Sequence, residues 1–86
     1  MNIALIEHDA ILQTEYCARI KERHQGSTIY CYADAETAVK SAKRTGADLI
    51  LTGSSIAETE ISELVSYINE QRLNAKIEQC AQYFQK

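Results

Sequence analysis

Three consecutive polar residues, Glu7, His8 and Asp9, end the first apolar run of an 86-residue chain. Two carboxyl groups around an imidazole have two chemical uses: a weak cation site, or a proton switch near neutral pH. Each residue also has a plainer duty. Asp9 stands where a helix N-cap is wanted, Glu7 is a neighbouring acid, and His8 is a polar residue in a strand-to-helix turn. Further along, "ADLILTGSS" ends another apolar run at Gly53, with the hydroxyls of Thr52 and Ser54 on either side.

Other catalytic sets fail on placement. Cys17 or Cys31 with His8 or His24 would suggest a thiol hydrolase, but Cys17 falls on a helix stripe and Cys31 inside a strand. Neither stands at a helix N-terminus, where a thiolate is stabilised. Cys17, Cys31 and Cys80 have no zinc-like spacing. They are expected to be three free, buried thiols, which suits a reducing cytoplasm. The first turn, "EHDAI", has no glycine to let a pyrophosphate approach the backbone.

These residues are positioned by alternating elements. "NIALI" is apolar on both faces, with Ile3 and Leu5 on one and Ala4 and Ile6 on the other. This suits a parallel strand covered on both sides. Asp9 then caps a helix over about 10–24, with Leu12, Tyr16 and Ile20 in its stripe. "STIYCYA" reads as a strand that sets Tyr30 and Tyr32 on one face. Asp34 caps a second helix, which Gly46 ends. "DLILT" is a third strand, and Ile61, Leu64, Val65 and Ile68 stripe a third helix. The phase slips near residues 70–74. Leu73, Ile77, Cys80, Ala81 and Phe84 then form a second stripe, read as a final helix.

The reading is an α/β fold with a three-stranded parallel sheet in order 2-1-3 and an added C-terminal helix. One domain spans 1–86, with its core over 1–70 and the last helix over 74–86. Apolar content is 45% and charged content 24%, both ordinary for a globular chain. Net charge is −3 and there is no basic stripe, so no nucleic-acid footprint is expected. No run has the length of a membrane span, and Met1 leads straight into a strand without a signal-peptide pattern. The expected location is cytoplasmic.

In this register the chain resembles the receiver domain of bacterial response regulators, a flavodoxin-like fold, over about residues 1–68. "NIALIEHDAIL" is similar to that family's opening strand, acidic cluster and first helix. "YADAETAVKSAKRTGADLILTG" is similar to its second strand end, second helix and third strand. The resemblance implies a phosphoacceptor aspartate at the end of strand three, two acidic residues after strand one that help hold magnesium, and a later hydroxyl and lysine. Carried over, the first acidic position is Glu7 and the second is His8, a poor ligand for a hard cation. The acceptor position is Gly53, which has no side chain. The later strands have no expected counterpart.

The reading is therefore a truncated, degenerate pseudo-receiver. It is expected to be no enzyme, to use no cofactor or metal and to have no catalytic residue. Its expected role is to bind and inhibit or redirect a histidine kinase, response regulator or transcription factor, independently of phosphate. The alternative is a cation- or pH-responsive remnant acting through Glu7, His8 and Asp9. Strand three would be an exposed apolar edge, so a homodimer or partner is expected to cover it. Tyr30, Tyr32, Leu49, Leu51, Ile77, Cys80 and Phe84 form the candidate interface.

Overall fold

The computed structural model describes residues 1–85. Its elements are β1 (Asn2–Ile6), α1 (Ala10–Arg23), β2 (Thr28–Tyr32), α2 (Ala35–Thr45), β3 (Leu49–Thr52), α3 (Glu58–Glu70), β4 (Lys76–Gln79) and α4 (Cys80–Tyr83). All strand pairs are parallel, in the order β2-β1-β3-β4. The α/β, flavodoxin-like architecture is as expected, but the sheet has four strands rather than three.

Local chemistry accounts for the helix ends. Asp9 accepts the Ile11 and Leu12 N–H groups at 2.9 and 3.0 Å. Asp34 accepts the Thr37 N–H at 2.7 Å, and this bond holds its carboxyl below the usual range. Gly46 closes α2 in the left-handed conformation, φ 67°, which glycine adopts without strain.

β1 and β3 are buried along almost their whole length, and their two faces serve two cores. Ile3, Leu5, Leu49, Leu51 and Ile20 of α1 form one, joined by Cys80. Ala4, Ile6, Ile50, Ala38, Leu64 and Ile68 are central to the other, under α2 and α3. The predicted α1 stripe is partly right: Ile20 is buried, Leu12 and Tyr16 are half-buried, and Ile11 is 74% exposed.

The largest correction lies after α3. The expected helix over 74–86 is instead a strand followed by one helical turn. Leu73 donates its N–H to the Ile68 carbonyl at 3.0 Å, while Arg72 takes φ 53°. This is a helix-ending turn made without glycine or proline. The chain then runs alongside β3, where the Lys76 N–H donates to the Asp48 carbonyl at 3.0 Å. β3 is thus an interior strand, and the edges are β2 and β4. The expected exposed edge at β3 does not exist. Leu49, Leu51 and Cys80 are buried within the chain, so they offer no surface to a partner.

The segment after β4 returns to the α1 face. Phe84 stacks on Tyr16 with ring centroids 6.1 Å apart. The Arg23 guanidinium lies 5.2 Å from the Tyr83 ring centre and donates to the Tyr83 carbonyl at 2.8 Å. No helix among the described residues is long and apolar enough to cross a membrane.

Candidate functional site

The loops after β1 and β3 meet at the same end of the sheet, because both strands are parallel neighbours. In open α/β sheets this carboxyl end is where sites are built. The Gly53 N–H donates to the Ile6 carbonyl at 2.8 Å, which brings Gly53 directly against Glu7.

Glu7 is fully buried. Its Oε2 accepts the Asp9 N–H at 3.0 Å and also the Ser55 hydroxyl. Its Oε1 accepts the Ser55 N–H at 3.4 Å. The side chain is therefore held between the two loops. A Cβ added at Gly53 would lie 2.7 Å from Glu7 Cδ and 3.0 Å from Glu7 Cβ, with Oε1 nearer still. Atoms do not approach that closely, so the Glu7 carboxyl group fills the space a side chain at position 53 would need.

His8 turns away from Glu7. Its backbone N–H donates to Ser55 Oγ at 3.0 Å. Its Nδ1–H donates to the Ala33 carbonyl at 2.6 Å, and its Nε2 lies 3.0 Å from both Glu60 carboxyl oxygens. Both ring nitrogens thus face acceptors, an arrangement only the doubly protonated imidazolium satisfies. The Glu60 bond first, and the Ala33 bond second, raise the His8 pKa above 6.5.

A raised folded-state pKa gives stabilisation that is complete below 6.5 and lost as pH rises through the folded-state value. The side chains are 40% and 31% exposed, so solvent screens the pair and the effect is small. Thermal melting is expected to show a modest fall in Tm as pH rises above 6.5. Glu60→Gln should flatten that fall; an unchanged profile in Glu60→Gln would count against the pair.

Asp9 is committed to capping α1. Among the described residues no group of three or more His, Cys, Asp or Glu is arranged to hold a metal ion. Thr52 is buried, and its hydroxyl has no hydrogen-bond partner among the described residues. Ser54 Oγ accepts the Tyr16 hydroxyl at 3.3 Å.

The sequence-predicted residues do not form one site. Glu7, His8 and Gly53 come together, while Asp9 joins through its backbone. Tyr30 and Tyr32 are half-buried, with Tyr32 packed on the α2/α3 core, as is Ile77. Phe84 lies on the opposite face. Ser55 and Glu60 hold the cluster together, whereas in the sequence Glu60 reads only as an acid at a helix start and Ser55 as a loop residue. They lie 48 and 52 residues from their partners, and no local spacing signals that.

The cysteines also depart from expectation. Cys17 of α1 and Cys31 of β2 are joined as a disulfide, leaving Cys80 as the free thiol. The expectation of three free, buried thiols fails on both counts: α1 packs against β2 at that pair, and Cys31 is exposed while Cys17 is half-buried. Burial pushes the Cys80 thiol up to about 12.

The chain matches no protein-family model and no curated protein. Its fold is that of a signal receiver domain. A solved structure with that fold is the signal receiver domain of a protein assigned as a Luxo repressor from Vibrio parahaemolyticus. It superposes with a TM-score of 0.77 at 15% identity, over 91% of this chain and 58% of that one. The chain thus spans a little over half the length of that receiver structure.

Proposed function

We propose that this chain is a non-catalytic signalling interaction protein that binds and modulates a partner without aspartyl phosphorylation. Partners of the kind that receiver domains meet are histidine kinases, response regulators and transcription factors; the expected effect is to inhibit or redirect them. The observation that carries this reading is the Glu7 carboxyl group filling the space beside Gly53. An acyl phosphate needs a carboxylate at that position, and phosphoryl transfer also needs cations to clamp the transferring group. Here the space already holds an acid, bonded to Ser55 and the Asp9 N–H.

The test is incubation with a small acyl-phosphate donor and magnesium, followed by intact-mass measurement. No phosphoryl adduct is expected. A stoichiometric adduct that forms and is base-labile would overturn the reading.

The His8–Glu60 pair supports a second reading, a pH-responsive element acting through the same loops. Its cation-binding form has less support, because the Glu7 carboxyl group and Asp9 Oδ1 already accept internal N–H and O–H groups. A homodimer through β3 loses its rationale, since β4 covers that strand.

A further inference from the structure

Helices α2 and α3 pack side by side over the sheet and leave a groove of about 210 Å³ between them. Leu64 is its buried floor, Val39 and Tyr67 are half-buried walls, and Glu36 and Glu63 stand at its rim. The lining is apolar inside; at the lip Glu36 pairs with Lys40 of the same helix at 3.3 Å, which leaves Glu63 as the unpaired acid.

The charge on α3 is one-sided. It carries Glu58, Glu60, Glu63 and Glu70, and no lysine or arginine. Glu60 is occupied by His8. Among the described residues, Glu58, Glu63 and Glu70 make no ion pair. Glu58 has a local reason, since acids favour a helix N-terminus. Glu63 does not, and Glu70 lies in the last turn, where an acid opposes the helix dipole. Helix stability therefore accounts for neither Glu63 nor Glu70, and Glu63 stands at the groove.

We propose that the α2/α3 groove docks a basic amphipathic helix of a partner protein. One large apolar side chain of that helix enters between Val39, Leu64 and Tyr67, and a flanking lysine or arginine lies over Glu63. This is helix-in-groove recognition, in which apolar anchors give affinity and complementary charge sets register and rate. The inference rests on the reading of the chain as a binding protein, and names the partner's chemistry and the face it uses.

The probe is a synthetic helical peptide of alanine and lysine carrying a single phenylalanine, titrated into isotope-labelled protein and followed by NMR. Saturable shifts centred on Val39, Leu64 and Tyr67 are expected, with affinity falling as salt is raised. Glu63→Lys should weaken binding at least tenfold, and Glu63→Gln and Tyr67→Ala should each weaken it measurably. Glu22→Lys, on α1, should leave it unchanged. Shifts centred on another face, equal binding of the peptide lacking its phenylalanine, or no saturable binding would each overturn the groove assignment. A captured natural partner whose footprint falls on α1 would overturn the groove yet keep the binding reading. A chain for which no partner leaves a footprint on any face would lose both.

Discussion

Replacing Gly53 by alanine is expected to destabilise the fold by about 1–3 kcal/mol, the usual cost of overpacking a filled space. The new Cβ collides with the Glu7 side chain, which is fully buried and tied to Ser55 and Asp9. It cannot swing into solvent without breaking those bonds. Gly53→Asp should cost more, because it sets a second acid beside a buried one that has no ion pair among the described residues. For a chain of this size each kcal/mol lowers Tm by about 4–8 °C.

The double substitution separates this collision from a general intolerance of loop changes. Glu7→Ala alone removes the acceptor of the Ser55 hydroxyl and the Asp9 N–H, at about 0.5–1.5 kcal/mol for each hydrogen bond lost. Combined with Gly53→Ala it removes the contacts with the carboxyl group and leaves only the Cβ–Cβ approach of 3.0 Å. The pair should therefore lose less than the sum of the singles, by about 0.5–3 kcal/mol. Thermal or urea unfolding of the four proteins measures this. Strict additivity would mean that the Glu7 side chain does not fill the space at position 53.

Reduction of the Cys17–Cys31 bond is expected to lower stability by about 3 kcal/mol, the loop-closure figure for a loop of this length, the two residues being 14 apart in sequence. Unreduced native protein should show no thiol reactive toward an aromatic disulfide reagent, because Cys80 is buried and its pKa is raised to about 12. Reduction should expose two reactive thiols, and denaturant a third. A Cys31→Ser variant should melt like the reduced protein and ignore reductant. Three thiols in unreduced, denatured protein would show that the bond does not form.

The first six elements were legible because their patterns are redundant. Ile3 and Leu5 against Ala4 and Ile6 announce a strand buried on both faces, and Asp9 and Asp34 mark helix starts by their chemistry. β4 was not legible. Its four residues, "KIEQ", include one apolar side chain, and Ile77 with Cys80, Ala81 and Phe84 mimics a helical stripe. In the fold Ile77 packs under α3 while Cys80 and Phe84 pack beside α1. That division between two faces of a sheet has no trace in the spacing.

Much the same holds for the site. Gly53, Glu7 and His8 stand out along the chain by their places at the ends of two apolar strands. Where their side chains point depends on which loops the parallel sheet brings together. Glu7 reaching across to Gly53, and His8 reaching away to Glu60, are properties of the third dimension. The disulfide escaped notice for the same reason, since residues on a helix stripe and in a strand reveal nothing of their distance.

The contact between Glu7 and Gly53 also bears on heredity. The glycine codons GGU and GGC become aspartate codons by one base change, so from them an acceptor would be within easy mutational reach. In this chain that step arrives at a clash with Glu7, and the single mutant is expected to fold less well than its parent. Gain of an acceptor would require a prior or simultaneous change at Glu7, which is itself costly alone. The two positions thus act as a ratchet: for a lineage carrying both residues, the route to a phosphorylatable site passes through a valley of lowered stability.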